Sequence, residues 1–216
     1  MKKLSLKEMF TLAVQHHQRN NLKVAEKIYR EILKLDPNYA DAYNNVGIIF
    51  QQLGESQEAM QYFKKAIKIN PNYADAHYNL GKVSSQLNKF QEAVISYEKA
   101  IQINPKHVDA YNNLGAIFKN LGEFQKAINC YKKAIQNDSK YTNAYNNLGT
   151  LLGELNHLDE AKNIFEKSKS LDPSNKKTFE EYGNILLKLN EHDKALEYIK
   201  KGTGFIRFSG KNFHII

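Results

Sequence analysis

The feature that most constrains this chain is a period. Pro37, Pro71, Pro105 and Pro173 are spaced by 34, 34 and twice 34 residues, and Ser139 stands at the skipped place. Self-similarity at a fixed spacing of this size means an array of small units, each burying its apolar face against the next. Every one of these sites follows Asp or Asn (Asp36, Asn70, Asn104, Asp138, Asp172). Proline disfavours helix at the residue before it, and Asp/Asn-Pro starts a turn. One helix therefore ends there and another begins. Half a period later come Asn20, Gly54, Asn88, Gly122, Asn156 and Asn190, the residue types that reach the left-handed conformation closing a helix. Each unit is read as two helices. Between the breaks the apolar spacing is helical, as in Tyr43, Val46, Gly47, Ile49, Phe50 and Leu53, then Ala59, Phe63, Ala66 and Ile67.

Small residues recur at fixed places. Gly47, Gly81, Gly115, Gly149 and Gly183, with Ala13 in the first unit, share one site, and Ala25, Ala59, Ala93, Ala127, Ala161 and Ala195 share another. Glycine weakens a helix, so its recurrence inside one predicts a close helix–helix contact. Phe63, Tyr97, Tyr131 and Phe165 share a site in the second helices, and an aromatic stripe there is expected to be core.

The pattern Ala-x-Tyr-Asn-Asn-Leu-Gly, then Leu-Gly-Glu-Phe, Ala, Tyr, Ala and Asp/Asn-Pro resembles the tetratricopeptide repeat from residue 6 to about 201. The resemblance implies an all-α, right-handed α-solenoid of stacked helix-turn-helix repeats, with first helices lining a concave groove and second helices forming the convex back. Such arrays draw their stability from stacking on neighbours. The array is placed at residues 1–201, with repeats at about 6–39, 40–73, 74–107, 108–141 and 142–175 and an incomplete sixth at 176–201. Both ends depart from the family pattern. Repeat 1 lacks the glycine and carries Phe10-Thr11, which suits a capping unit. Repeat 6 carries Glu180-Glu181, and its second helix is expected to break at Gly202-Thr203-Gly204. Residues 202–216 form an apolar tail, expected to cover repeat 6, with two short apolar runs around Ser209-Gly210 that suit a hairpin.

Composition narrows the function. With 42% hydrophobic residues, 13 tyrosines and 11 phenylalanines, the chain is too apolar to be disordered. Cys130 is the single cysteine, so no disulfide framework or thiolate metal site exists and a reducing, cytoplasmic location is expected. Met1-Lys2-Lys3 leads into an apolar stretch too short and interrupted for a signal peptide. No run approaches the roughly 20 apolar residues a membrane span needs. The histidines are scattered without metal-ligand spacing, and no phosphate loop, nucleophile elbow or cysteine with a plausible partner is present. The reading is a protein with no catalytic residue, no metal and no cofactor. The net charge of +8 raises nucleic acid as a partner, but lysine pairs such as Lys64-Lys65 and Lys132-Lys133 sit late in second helices, where a solvated outer face is expected rather than a binding stripe.

One constellation points to binding. Asn45, Asn79, Asn113 and Asn147 recur once per repeat on the first helices. An amide donates and accepts, so a row of them can hold an extended peptide by its backbone; equally, such amides can tie neighbouring helix backbone together. By the same register the groove lining includes Asp41, Asp75, Asp109, Asn44, Tyr78, Asn112, Asn146, Ile48, Lys82, Gln52, Gln86, Asn120 and Glu154. Family members that clamp chaperone C-termini carry Lys or Arg where this chain has Asn44, Tyr78 and Asn112, so a carboxylate clamp is not expected. The asparagine row is similar to the groove of O-linked N-acetylglucosamine transferase, whose catalytic domain has no room here. The favoured function is an adaptor holding an extended protein or peptide segment, neutral to basic in charge. The alternatives are the recognition arm of a larger or split transferase-type enzyme, and a nucleic-acid-binding solenoid.

Overall fold

The structure, a computed structural model, describes residues 4–204. Among them the chain forms α1 (Leu6–Gln18), α2 (Leu22–Leu35), α3 (Ala40–Gln52), α4 (Ser56–Ile69), α5 (Ala74–Gln86) and α6 (Phe90–Ile103). They are followed by α7 (Val108–Asn120), α8 (Phe124–Asn137), α9 (Thr142–Glu154), α10 (Leu158–Leu171), α11 (Lys176–Lys188) and α12 (His192–Thr203). Each first helix has 13 residues, and each second helix 14 except α12, which has 12. No strand occurs among the described residues. The fold class is the helix-turn-helix α-solenoid.

The turns follow from the residue types found at the breaks. Asp36 accepts from the Asn38 backbone N–H at 2.9 Å, Asn70 from Asn72 at 3.1 Å, Asn104 from Lys106 at 3.1 Å, Asp138 from Lys140 at 2.9 Å and Asp172 from Ser174 at 3.1 Å. This Asx-turn is a local substitute for a backbone turn. It explains why Ser139 can stand where the other repeats have proline: the Asp138 carboxylate makes the same turn without it. At the other break Asn20, Asn88, Asn156 and Asn190 adopt φ of 57° to 63°, and Gly54 and Gly122 adopt 81° and 75°, the left-handed closure that Asn and Gly tolerate best. Helix α1 carries its own capping box, in which the Ser5 hydroxyl accepts from the Glu8 N–H and the Glu8 carboxylate accepts from the Ser5 N–H.

The glycines sit against the large residue of the partner helix. A Cβ on Gly47 would lie 2.6 Å from the Phe63 ring, and one on Gly81 2.8 Å from the Tyr97 ring; Gly149 faces Phe165 and Gly183 faces Ile199 in the same way. Bare backbone at one position and a ring at the other is what lets two helices approach. The recurring alanines, from Ala25 to Ala195, are 0% exposed.

The chain divides into two compact units, Met1–Ile117 and Phe118–Ile216, with the boundary inside α7. In the first, α2 packs on α3 and α4 on α5 besides the pairing within each repeat, and α3 touches α5. In the second, α8 packs on α9 and α10 on α11, and α9 touches α11. Helix α12 ends within the expected Gly202-Thr203-Gly204 stretch, running to Thr203 and closing at Gly204 with φ 84°. Gly202 is also a contact, where a Cβ would lie 2.8 Å from the Glu180 nitrogen and the Lys176 oxygen of α11. The tail reading, from Phe205 to Ile216, lies outside the described residues.

Candidate functional site

From α3 to α11 each first helix turns Ala42, Val46, Gly47 and Ile49, or their counterparts, toward the core, which leaves a polar face on the other side. On that face Asp41, Asp75, Asp109, Gln52, Gln86, Lys82 and Asn120 are exposed, whereas Asn45, Asn113, Asn147, Tyr78 and Ile48 are half-buried. Asn44, Asn79, Asn112 and Asn146 are buried, at 4%, 9%, 7% and 6% exposure. The asparagines of the sequence reading therefore do not form one uniform row. Asn79 shares its register with the half-buried Asn45, Asn113 and Asn147 and is buried because it bonds Asn44 of the preceding first helix.

Their bonds show what the buried amides do. Asn79 donates Nδ2–H to Asn44 Oδ1 at 3.0 Å, and one repeat later Asn113 donates to the Tyr78 hydroxyl at 3.3 Å. Both bonds span 35 residues, from one first helix to the preceding one. In the second unit Asn146 Oδ1 accepts from Ser168 Oγ at 2.6 Å and Thr178 Oγ1 at 3.0 Å, joining α9, α10 and α11. Asn45 instead donates to the Asp41 carbonyl of its own helix at 2.9 Å. The fully buried Tyr29 hydroxyl has no partner, and burial pushes its pKa up to about 12.

A second set of ties lies at the last turn of the first helices, with the same step of 35 residues. His17 Nε2 meets Gln52 Oε1 at 3.2 Å and Gln51 donates to Gln86 at 3.2 Å; in the second unit Lys119 donates to Glu154 at 2.7 Å and Lys188 to the Gly153 carbonyl at 3.0 Å. Sequence reasoning placed Gln52, Gln86 and Glu154 on the face but missed their pairing. The signal was available as polar residues at 17, 51 and 119 that recur together with polar residues at 52, 86 and 154.

The aspartates have a different setting. Burial, then the neighbouring Asp41 carboxylate, pushes the Tyr73 phenol well above its ordinary pKa. His107 Nε2 lies 3.9 Å from Asp75, whose side chain is 70% exposed, and the His107 ring packs on Tyr78 with centroids 4.7 Å apart. Asp41 thus faces a phenol and Asp75 an imidazole. Among the described residues, Arg30–Glu26, Lys34–Glu31 and Lys64–Glu92 are ion pairs on glutamates of the second helices. Cys130 is half-buried. No group of three metal-ligating side chains occurs among the described residues, and among them no helix is long and apolar enough to cross a membrane.

Family models described as tetratricopeptide or TPR repeats match residues 40–73, 62–95, 85–122, 108–141, 142–175 and 177–205. The chain belongs to the tetratricopeptide repeat family, whose repeats are protein-interaction modules. Among solved structures it is similar to that of MamA, with 27% identity over 74% of this chain and 94% of the other and a TM-score of 0.69. PilW, described as a widely conserved type IV pilus biogenesis factor, matches with a TM-score of 0.82 at 21% identity over 94% and 96% of the two chains. YrrB, described as a TPR protein with an unusual peptide-binding site, matches at 0.67 and 23% identity over 82% and 91%. The last two identities speak for the fold alone. No curated protein matches the chain.

Proposed function

We infer that this protein is a non-catalytic adaptor whose first-helix face holds an extended, neutral-to-basic segment of another protein. The observation that carries this reading is the exposed carboxylate at one register of successive first helices, Asp41, Asp75 and Asp109, in a chain whose net charge is +8. A partner segment laid across the first helices meets one carboxylate per repeat. Asn45 and Asn113, half-buried beside them, offer amides to the segment's backbone. The buried Asn44, Asn79 and Asn112 support that face from beneath. The single cysteine suits a cytoplasmic setting.

Replacing Asp41, Asp75 and Asp109 together with Asn tests the reading on a partner captured with the whole chain. Exposed charge pairs contribute about 0.2–1 kcal/mol each, so affinity should fall roughly threefold to a hundredfold and lose part of its salt dependence. The melting temperature should drop by only a few degrees, from weaker helix-dipole interactions. Unchanged affinity and unchanged salt dependence in the triple variant would reject the carboxylate face as the partner site.

A further inference from the structure

The first unit has a second surface, on the side of its second helices. In repeat 2 the outer interstice is filled by Tyr62. Its ring stacks on Phe50 with centroids 5.3 Å apart and planes at 10°, and lies 6.3 Å from Tyr43. Two cations close over it: Arg30 stands 5.8 Å from the centroids of both Phe50 and Tyr62, and Lys65 stands 5.7 Å and 5.6 Å from those of Tyr43 and Tyr62. Repeat 6 uses the same device, with Tyr198 stacked on Phe179 at 5.9 Å and Lys201 over the ring at 5.2 Å. Attraction of a cation to a ring face stabilises such an arrangement.

Repeat 3 keeps the cations and loses the ring. At the positions 34 residues on, Tyr62 becomes Ser96, Phe50 becomes Ser84 and Tyr43 becomes His77, while Arg30 and Lys65 become Lys64 and Lys99. The Ser96 hydroxyl folds back onto the Glu92 carbonyl at 2.7 Å, and the Ser84 hydroxyl is buried without a partner. Beside Ser96 lies an open cavity of about 1040 Å³ walled by Ile67, Leu80 and Ile95, with His77 and Lys99 at its edge and the Lys64–Glu92 ion pair also lining it. Lys99 bonds Gln102 at 2.9 Å instead of facing a ring. One further exchange runs against solubility: the exposed Gln61 of repeat 2 is replaced by Ile95, a large apolar side chain left 59% exposed at the lip. A hole beside a newly exposed isoleucine is apolar surface awaiting cover.

We propose that this cavity receives a tyrosine or phenylalanine side chain of a partner protein, in the place that Tyr62 occupies in repeat 2. The ring lies on Leu80 and Ile67 against His77, Lys99 turns from Gln102 to its face, and Ile95 covers its outer edge. The charge complementarity is that of a cation to a π-face. This makes the second-helix side of repeat 3 an interaction surface separate from the carboxylate face, so one chain can hold two protein segments.

The test titrates N-acetyl-tyrosinamide into the full chain and follows the methyl signals of Ile67, Leu80 and Ile95 by NMR. Saturable shifts confined to these methyls are expected, and the cyclohexyl analogue of the ligand should bind about threefold more weakly because it offers no π-face. Ser96→Tyr fills the hole from within and should weaken binding by roughly tenfold or more. Should that variant fail to fold, Ile95→Gln, which restores the exposed residue of repeat 2, should still weaken binding severalfold. The absence of saturable shifts, equal binding of the cyclohexyl analogue, or undiminished binding by the folded variants overturns the proposal.

Discussion

Repeats 2 and 3 share a plan and diverge on one side of it. In both, a glycine of the first helix lies under a ring of the second, Gly47 under Phe63 and Gly81 under Tyr97. On the outer side, repeat 2 is closed by the Phe50–Tyr62 stack, whereas repeat 3 has Ser96 there and an open cavity. The inner contact sets the distance between two backbones, and a change there displaces a whole helix. The outer interstice is bounded by side chains alone, so each repeat can fill it, leave it open or use it.

The largest effect should come from the inner contact. Gly81→Leu places its Cβ within 2.8 Å of the Tyr97 ring, and overpacking of this kind costs about 3 kcal/mol. Circular dichroism melts should show the loss, and an unchanged melting temperature would mean that α5 and α6 can separate without cost. Next comes Tyr62→Ser, which makes repeat 2 like repeat 3. Loss of the half-buried ring and its stack should cost about 2 kcal/mol and create a second site for N-acetyl-tyrosinamide; a variant that destabilises without gaining the site would break the equivalence of the two interstices.

A smaller difference separates Asn79 from Asn45. Asn79→Ala leaves the 4%-exposed Asn44 oxygen without its donor and should cost about 1–2 kcal/mol. Asn45 bonds only its own helix, so Asn45→Ala should cost about 0.5 kcal/mol or less. Equal losses in chemical denaturation would erase the distinction between buried tie and exposed face.

The smallest effect is one of pH. Burial holds the His77 pKa below its ordinary value, against the opposing hydrogen bond to the Pro71 carbonyl. The unfolded chain then binds the proton more readily, and stability falls as pH drops through the ordinary histidine range. Melts taken between about pH 7.5 and about pH 5.5 should show wild type losing slightly more than His77→Asn across about pH 6.5 and running parallel to it above; parallel curves throughout would place His77 in water in the fold as in the unfolded chain.

Much of this architecture was legible in the residues. The period, the Asp/Asn–Pro breaks and the Asn or Gly closures each depend on bonds within a few residues, so they survive in the sequence as local signals. The glycine-to-ring contact was legible too, because it recurs at constant separation within one repeat. The break at Gly202-Thr203-Gly204 was legible locally, whereas the contact of Gly202 with Lys176 and Glu180 on another helix was not. The pairing of Asn79 with Asn44, of Gln51 with Gln86, and the outer cavity of repeat 3 were decided only by the tertiary structure. Each depends on side chains brought together across a helix stack, where a shift of one residue exchanges a solvent face for an interface. Sequence by itself determined that the helices stack every 34 residues. Which asparagines hold the stack together, and which groups face outward from it, depended on packing between helices far apart along the chain.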